Sequence, residues 1–246
     1  MLEIPILALY YRLLICFIKP EDQVAYQALE QDVARFMGKI EVSEKGEIYA
    51  AYINYLIGRW RAGQSSLDKI FAVYKASDES GGLTENGSIQ AGNYLNVVDV
   101  GMSLVQAAKT AEKKQEIRAW IEDFVDRRYT EVNEQVRQAV RDQAQAQLHY
   151  EDKDYSAASQ CLLQSRSDLM MEIGRRVLLQ KVYFDMGDEE LFAALLAANL
   201  LFMHRKKDRL SPFKHQSYSQ FFRILDKVFK WKYESTQELT EQEKLK

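Results

Sequence analysis

Apolar residues recur at helical spacing along nearly the whole chain, and very little interrupts them. Ile117, Trp120, Ile121, Phe124 and Val125 follow the i, i+3, i+4, i+7, i+8 pattern of one helix face. Tyr218, Phe221, Phe222, Leu225, Val228 and Phe229 do the same, and Tyr94, Leu95, Val98, Leu104, Val105 and Ala108 form a third stripe. Only 3 Pro and 11 Gly occur in 246 residues, against average usages of about 5% and 7%. Folds built of many short strands need a turn signal every 8–12 residues or so, and this chain has no such supply. With 47% hydrophobic residues and a net charge of -3, disorder is also excluded. The reading is an all-α protein.

Helix ends can be placed from their caps. Lys19-Pro20-Glu21-Asp22 places Pro in a first turn, followed by acids that suit the positive end of the helix dipole. Ser43, with Glu44 and Glu47, opens a helix that stops at Gly63, and Ser65 or Ser66 opens the next. Ser211-Pro212 is a cap followed by a first helical residue. Residues 77–93, with Gly81-Gly82 and Asn86-Gly87, form the one long irregular segment, and no sheet is expected. The polar stretch 235–246 reads as a frayed tail.

The first helix, Leu2 to Ile18, is apolar enough to raise the question of a signal peptide. Glu3 stands where a positive region should be, Arg12 breaks the run, and no small-residue cleavage site follows. Arg12 and Lys19 also leave it too short to span a membrane. With two Cys and no disulfide framework, the expectation is a cytoplasmic protein in a reducing compartment. The apolar residues of this helix cover more than one face. One side is therefore expected to lie under an upstream segment or a second copy of the chain, a homodimer that Leu9→Glu or Leu13→Glu would weaken, with Tyr10, Tyr11 and Arg12 at the rim.

Short connections between helices imply antiparallel neighbours, and an internal repeat is visible. Leu148-His149-Tyr150, followed by Asp154-Tyr155, recurs 34 residues later as Val182-Tyr183-Phe184, followed by Asp188-Glu189. Cys161 aligns with Leu195 and Leu162 with Leu196. This resembles the tetratricopeptide repeat, a pair of antiparallel helices with aromatic and small residues between them. Tyr150 and Phe184 match its aromatic before the turn, Lys153-Asp154-Tyr155 and Gly187-Asp188 its turn, and Ala158 its small residue. Phe192 stands where a small residue belongs, and Met170 and His204 replace the closing proline. The resemblance covers residues 139–206. It implies a right-handed α-solenoid of antiparallel helical hairpins, one domain over 1–234, with a concave surface for partners. If so, Gln143, Gln147 and Tyr150, with Lys181, Phe184 and Asp185, are candidates for that surface. The alternative for each is ordinary packing between hairpins, above all for Tyr150 and Phe184. Leu83-Thr84-Glu85-Asn86-Gly87 and Lys206-Lys207-Asp208-Arg209-Leu210-Ser211 are similar to segments of an uncharacterised bacterial group of long helical-repeat proteins. That likeness implies no activity, but suggests a fragment, or the C-terminal part of a longer solenoid.

Reactive chemistry is hard to find. His149, His204 and His215 have no His or Cys at metal-ligand spacing, and no H-E-x-x-H or C-x-x-C occurs. Cys16 and Cys161 sit among leucines, as buried inert thiols do. Gly82 and Gly87 have the spacing of a phosphate loop, but Ser88-Ile89 stands where Lys and Ser or Thr are required. Glu122, Asp123 and Asp126 fall on the polar side of their helix, as surface charge. The sequence asks for no cofactor or metal, and the expectation is a chain without catalytic activity. Charge is less even. His204 to Lys232 carries nine basic residues against two acidic, while residues 1–203 carry a net -8. Arg205, Lys206, Lys207 and Arg209 form the basic patch. It would suit an acidic surface, or simply complement the negative end of the preceding helix. A sequence pI of 5.8 and the lack of a recognition motif weigh against nucleic acid. The function expected is a non-catalytic scaffold for a protein or peptide partner. The alternative is a structural segment that docks on other domains of a longer protein.

Overall fold

A computed structural model describes residues 4–163 and 168–234. Its described residues form eleven α-helices: α1 (Pro5–Ile18), α2 (Gln23–Phe36), α3 (Val42–Arg61), α4 (Leu67–Glu79), α5 (Ala91–Ala107), α6 (Ala111–Arg128), α7 (Glu134–Glu151), α8 (Tyr155–Leu163), α9 (Leu169–Met186), α10 (Glu189–Arg205) and α11 (Pro212–Phe229). The all-α reading therefore holds, with one local exception. Thr84–Glu85 (β1) and Ser88–Ile89 (β2) pair antiparallel, Thr84 opposite Ile89, around Asn86-Gly87. Both loop residues have positive φ, the conformation a two-residue hairpin needs and Asn-Gly accepts. Ile89 also bridges to Val132, and the Ser88 hydroxyl donates to the Glu131 carbonyl. The tail 235–246 lies outside the described residues.

Caps explain most helix starts. Ser66 and Ser211 accept from backbone N–H groups three residues on, as the sequence suggests. The cap of α2 is Asp22, which accepts from the Ala25 N–H at 2.9 Å, so Pro20 stays in the preceding loop. Helix α3 starts at Val42, one residue before Ser43, and Glu41 makes no side-chain cap.

The chain divides into two compact units, Met1–Ala144 and Gln145–Lys246. In the first, α1 packs on α2 and on α3, α3 on α4, α4 on α5, and α5 on α6. Leu9, Leu29, Leu56, Ile70, Tyr94, Ile121 and Phe124 are fully buried there. Helices α5 and α6 approach closely because Gly101 has no side chain, since a Cβ there would lie 2.5 Å from Ile121 Cδ1. In the second unit Phe192 stacks on Phe229 at 3.9 Å, over a core of Leu162, Ile173, Val182 and Phe222. The turns before α8 and α10 are built alike. Lys153 and Gly187, 34 residues apart, both have positive φ, and Asp154 and Asp188 each accept from the backbone N–H three residues on.

Candidate binding surfaces

Helix α1 is fixed by polar contacts on its inner flank. The Tyr10 hydroxyl donates to Glu47 on α3 at 2.9 Å, and Arg12 pairs with Asp32 on α2 at 2.8 Å. The loop after it is held by Arg59, a buried guanidinium that lies over the Tyr26 ring and donates to the Pro20 carbonyl, Tyr55 and Gln23. Ala8, Leu9, Leu13 and Cys16 face the core. This corrects the assignment of Leu9 and Leu13 to an outer surface: both are inside, and glutamate at either would break the core instead of an interface. The outward side is Ile4, Leu7, Tyr11, Leu14 and Ile18, each between 48% and 64% exposed. They are spaced by alternating steps of three and four, the seam of paired helices. Tyr11 lies on this stripe, whereas Tyr10 and Arg12 are engaged with α3 and α2.

The residues nominated from the repeat fall into different settings. Gln143 is buried and belongs to the first unit, and the other five to the second. The Tyr150 hydroxyl donates to Asp185 at 2.5 Å, and burial with that carboxylate raises its pKa well above the ordinary value. Phe184 is a packing residue, edge-on to Phe192, Phe229 and Tyr233, with its carbonyl accepting from the Tyr233 hydroxyl. Lys181 is exposed and Gln147 half-buried. The structure thus joins Tyr150 to Asp185 and packs the half-buried Phe184 against the core.

Arg205, Lys207 and Arg209 are exposed at the end of α10, with Lys206 half-buried as its C-cap. Glu122 and Asp123 pair with Arg118 and Arg127 on the surface of α6. Cys16 is buried and Cys161 half-buried, and both are thiols and not disulfides. Among the described residues, no three His, Cys, Asp or Glu could hold a metal ion together, and no helix is long and apolar enough to cross a membrane.

One feature has no sequence signal. Tyr49 and Ile53 of α3, Tyr74 and Ser77 of α4, and Asn93 and Asn96 of α5 line a pocket of about 70 Å³. Its residues come from three separate helices, so no motif spacing reveals it.

No protein-family model matches this chain. No curated protein and no solved structure shows significant similarity to it either.

Proposed function

We propose that the chain is a non-catalytic scaffold for protein partners, a right-handed solenoid of tetratricopeptide-like hairpins. The turns at Lys153 and Gly187, equal in conformation and 34 residues apart, support that repeat unit. The observation that carries the function is the outer stripe of α1. A row of large apolar side chains on one helix, left uncovered by the described residues, favours burial against another surface.

The occupant proposed is a second copy. Read in either direction the stripe is Ile, Leu, Tyr, Leu, Ile, so two antiparallel copies of α1 are complementary about Tyr11, as a two-fold interface requires. Ile4 would meet Ile18, and Leu7 would lie near Leu14, of the second copy. Half-exposed side chains of this size each present roughly 100 Å². With Phe17 beside them, two copies would bury at most about 1,000–1,200 Å², the threshold of a specific interface.

Sedimentation at tens of micromolar should give a dimer, and Leu7→Glu with Leu14→Glu a monomer of unchanged helix content. A wild-type monomer would overturn self-association. The stripe would then favour the second reading, a structural segment that docks on other domains of a longer chain.

A further inference from the structure

Helix α11 is apolar on two sides. Phe222 and Phe229 are buried in the second unit, with Tyr218, Phe221 and Leu225 packed half-buried around them. On the other side Phe213, Ser217, Gln220, Ile224, Val228 and Trp231 follow one another by steps of three and four, Trp231 in the single wider turn Lys230–Glu234. All six are exposed, Phe213 and Trp231 at 75% and Ile224 at 61%. At about 100° per residue, Arg223, Lys227 and Lys230 run along one edge of this face, and Lys214 and Lys232 along the other. Lys230 pairs with Asp226, whereas among the described residues neither Arg223 nor Lys227 has an acidic partner. Arg205, Lys207 and Arg209, exposed just before the helix, extend the same charge.

The arrangement of these side chains selects what the face meets. Its charge calls for an anionic surface. Its apolar residues form no continuous seam: Phe213 and Ile224 are about 16 Å apart along the axis, with only Ser217 and Gln220 between them on that face. A protein partner needs a contiguous apolar centre with charge kept to the rim, which the stripe of α1 offers and this face does not. The row is long and thin instead, about 27 Å from Phe213 to Trp231. A lipid surface needs no such centre, because isolated apolar side chains enter it singly. A tryptophan ring suits the headgroup level, and lysine and arginine beside it keep their stems among the apolar tips while their charges reach lipid phosphates.

We propose that the outer face of α11 docks the protein reversibly on an anionic lipid surface, with the helix lying in the plane of the bilayer. Phe213, Ile224 and Trp231 enter the boundary between headgroups and acyl chains, and Lys214, Arg223 and Lys227 meet lipid phosphates. This goes beyond the scaffold reading and does not rest on self-association through α1.

Flotation of the full chain with vesicles tests it, using phosphatidylcholine alone or with one-third phosphatidylglycerol. The protein should float with the mixed vesicles at about 0.1 M salt, leave them at about 0.5 M, and not float with phosphatidylcholine alone. Tryptophan emission should move to shorter wavelength on the mixed vesicles. Trp231→Ala, which keeps Trp60 and Trp120, should abolish that shift and weaken binding about tenfold. Arg223→Ala with Lys227→Ala should weaken binding at least about tenfold. All three positions are exposed, so the variants should keep the wild-type helix content. Polyglutamate or duplex DNA, at equal charge, should neither shift the emission nor displace the protein from vesicles. No flotation with the mixed vesicles, equal flotation with phosphatidylcholine alone, or displacement by either polymer would overturn the proposal, the last in favour of an acidic macromolecule. So would binding that is lost in the Leu7→Glu, Leu14→Glu chain and kept in Trp231→Ala, since α1 would then be the lipid contact. The α1 variant should keep the emission shift whatever its sedimentation shows, so the two tests fail independently.

Discussion

Asp78 lies 2% exposed at the end of α4, where its two carboxylate oxygens each accept from an arginine of α6. Arg127 and Arg128 both approach at 2.8 Å, and Arg128 also donates to the Asp78 carbonyl and to Glu131. A buried carboxylate is tolerated only when fully paired, and here the pairing ties α4 to the last turn of α6. Asp78→Ala would leave two arginines turned toward an apolar interior. Arg127 is partly solvated and can swing away, so the expected loss is about 2–3 kcal/mol, at the low end for a broken buried pair. Chemical denaturation of the variant should show it as a lower midpoint with an unchanged slope. In the sequence Asp78 looks like any other surface acid in a polar loop. Its partners lie about fifty residues away, beyond the reach of local spacing.

At the scale of elements, α9 and α10 are joined by a polar network inside an apolar unit. Glu172 accepts from Arg175 and Arg176, and Arg176 reaches Asn199, whose amide donates to Gln180. Gln180 in turn donates to the Phe192 carbonyl at 3.1 Å. Burial alone would raise the Glu172 carboxyl, but the two guanidinium groups outweigh it and hold the pKa below its ordinary 4.5. The folded state therefore favours the carboxylate. That contribution is whole above the unfolded value and is lost as pH falls through the lower folded one. Calorimetric scans should show a thermal midpoint that drops below about pH 4.5, and less steeply in Glu172→Gln. The helices of this network were legible as part of the internal repeat over residues 139–206. The network itself was not, because Gln180 and Asn199 read as surface residues until α9 and α10 are packed. The hairpin at Asn86-Gly87 was legible in principle, as an Asn-Gly pair between short runs, but two-residue strands give no alternation to support it.

For the whole molecule, the apolar stripes were enough to read an all-α chain, and the exposed N-terminal helix was already anomalous in sequence. Which of its sides faces out was not readable, because a helix apolar all round has no preferred direction until its neighbours are in place. Leu9 and Leu13 are as apolar as Leu7 and Leu14, and only the packing of α2 and α3 separates the two pairs. The central claim is that Ile4, Leu7, Tyr11, Leu14 and Ile18 form an antiparallel seam between two copies. Disulfide trapping tests it most directly, with single cysteines introduced in a Cys161→Ser chain that keeps the buried Cys16. Tyr11→Cys should form a covalent dimer under mild oxidation. Ile4→Cys should cross-link to Ile18→Cys when the two variants are mixed, and neither to itself. No covalent dimer of Tyr11→Cys, or rapid self-linking of Ile4→Cys, would contradict the account.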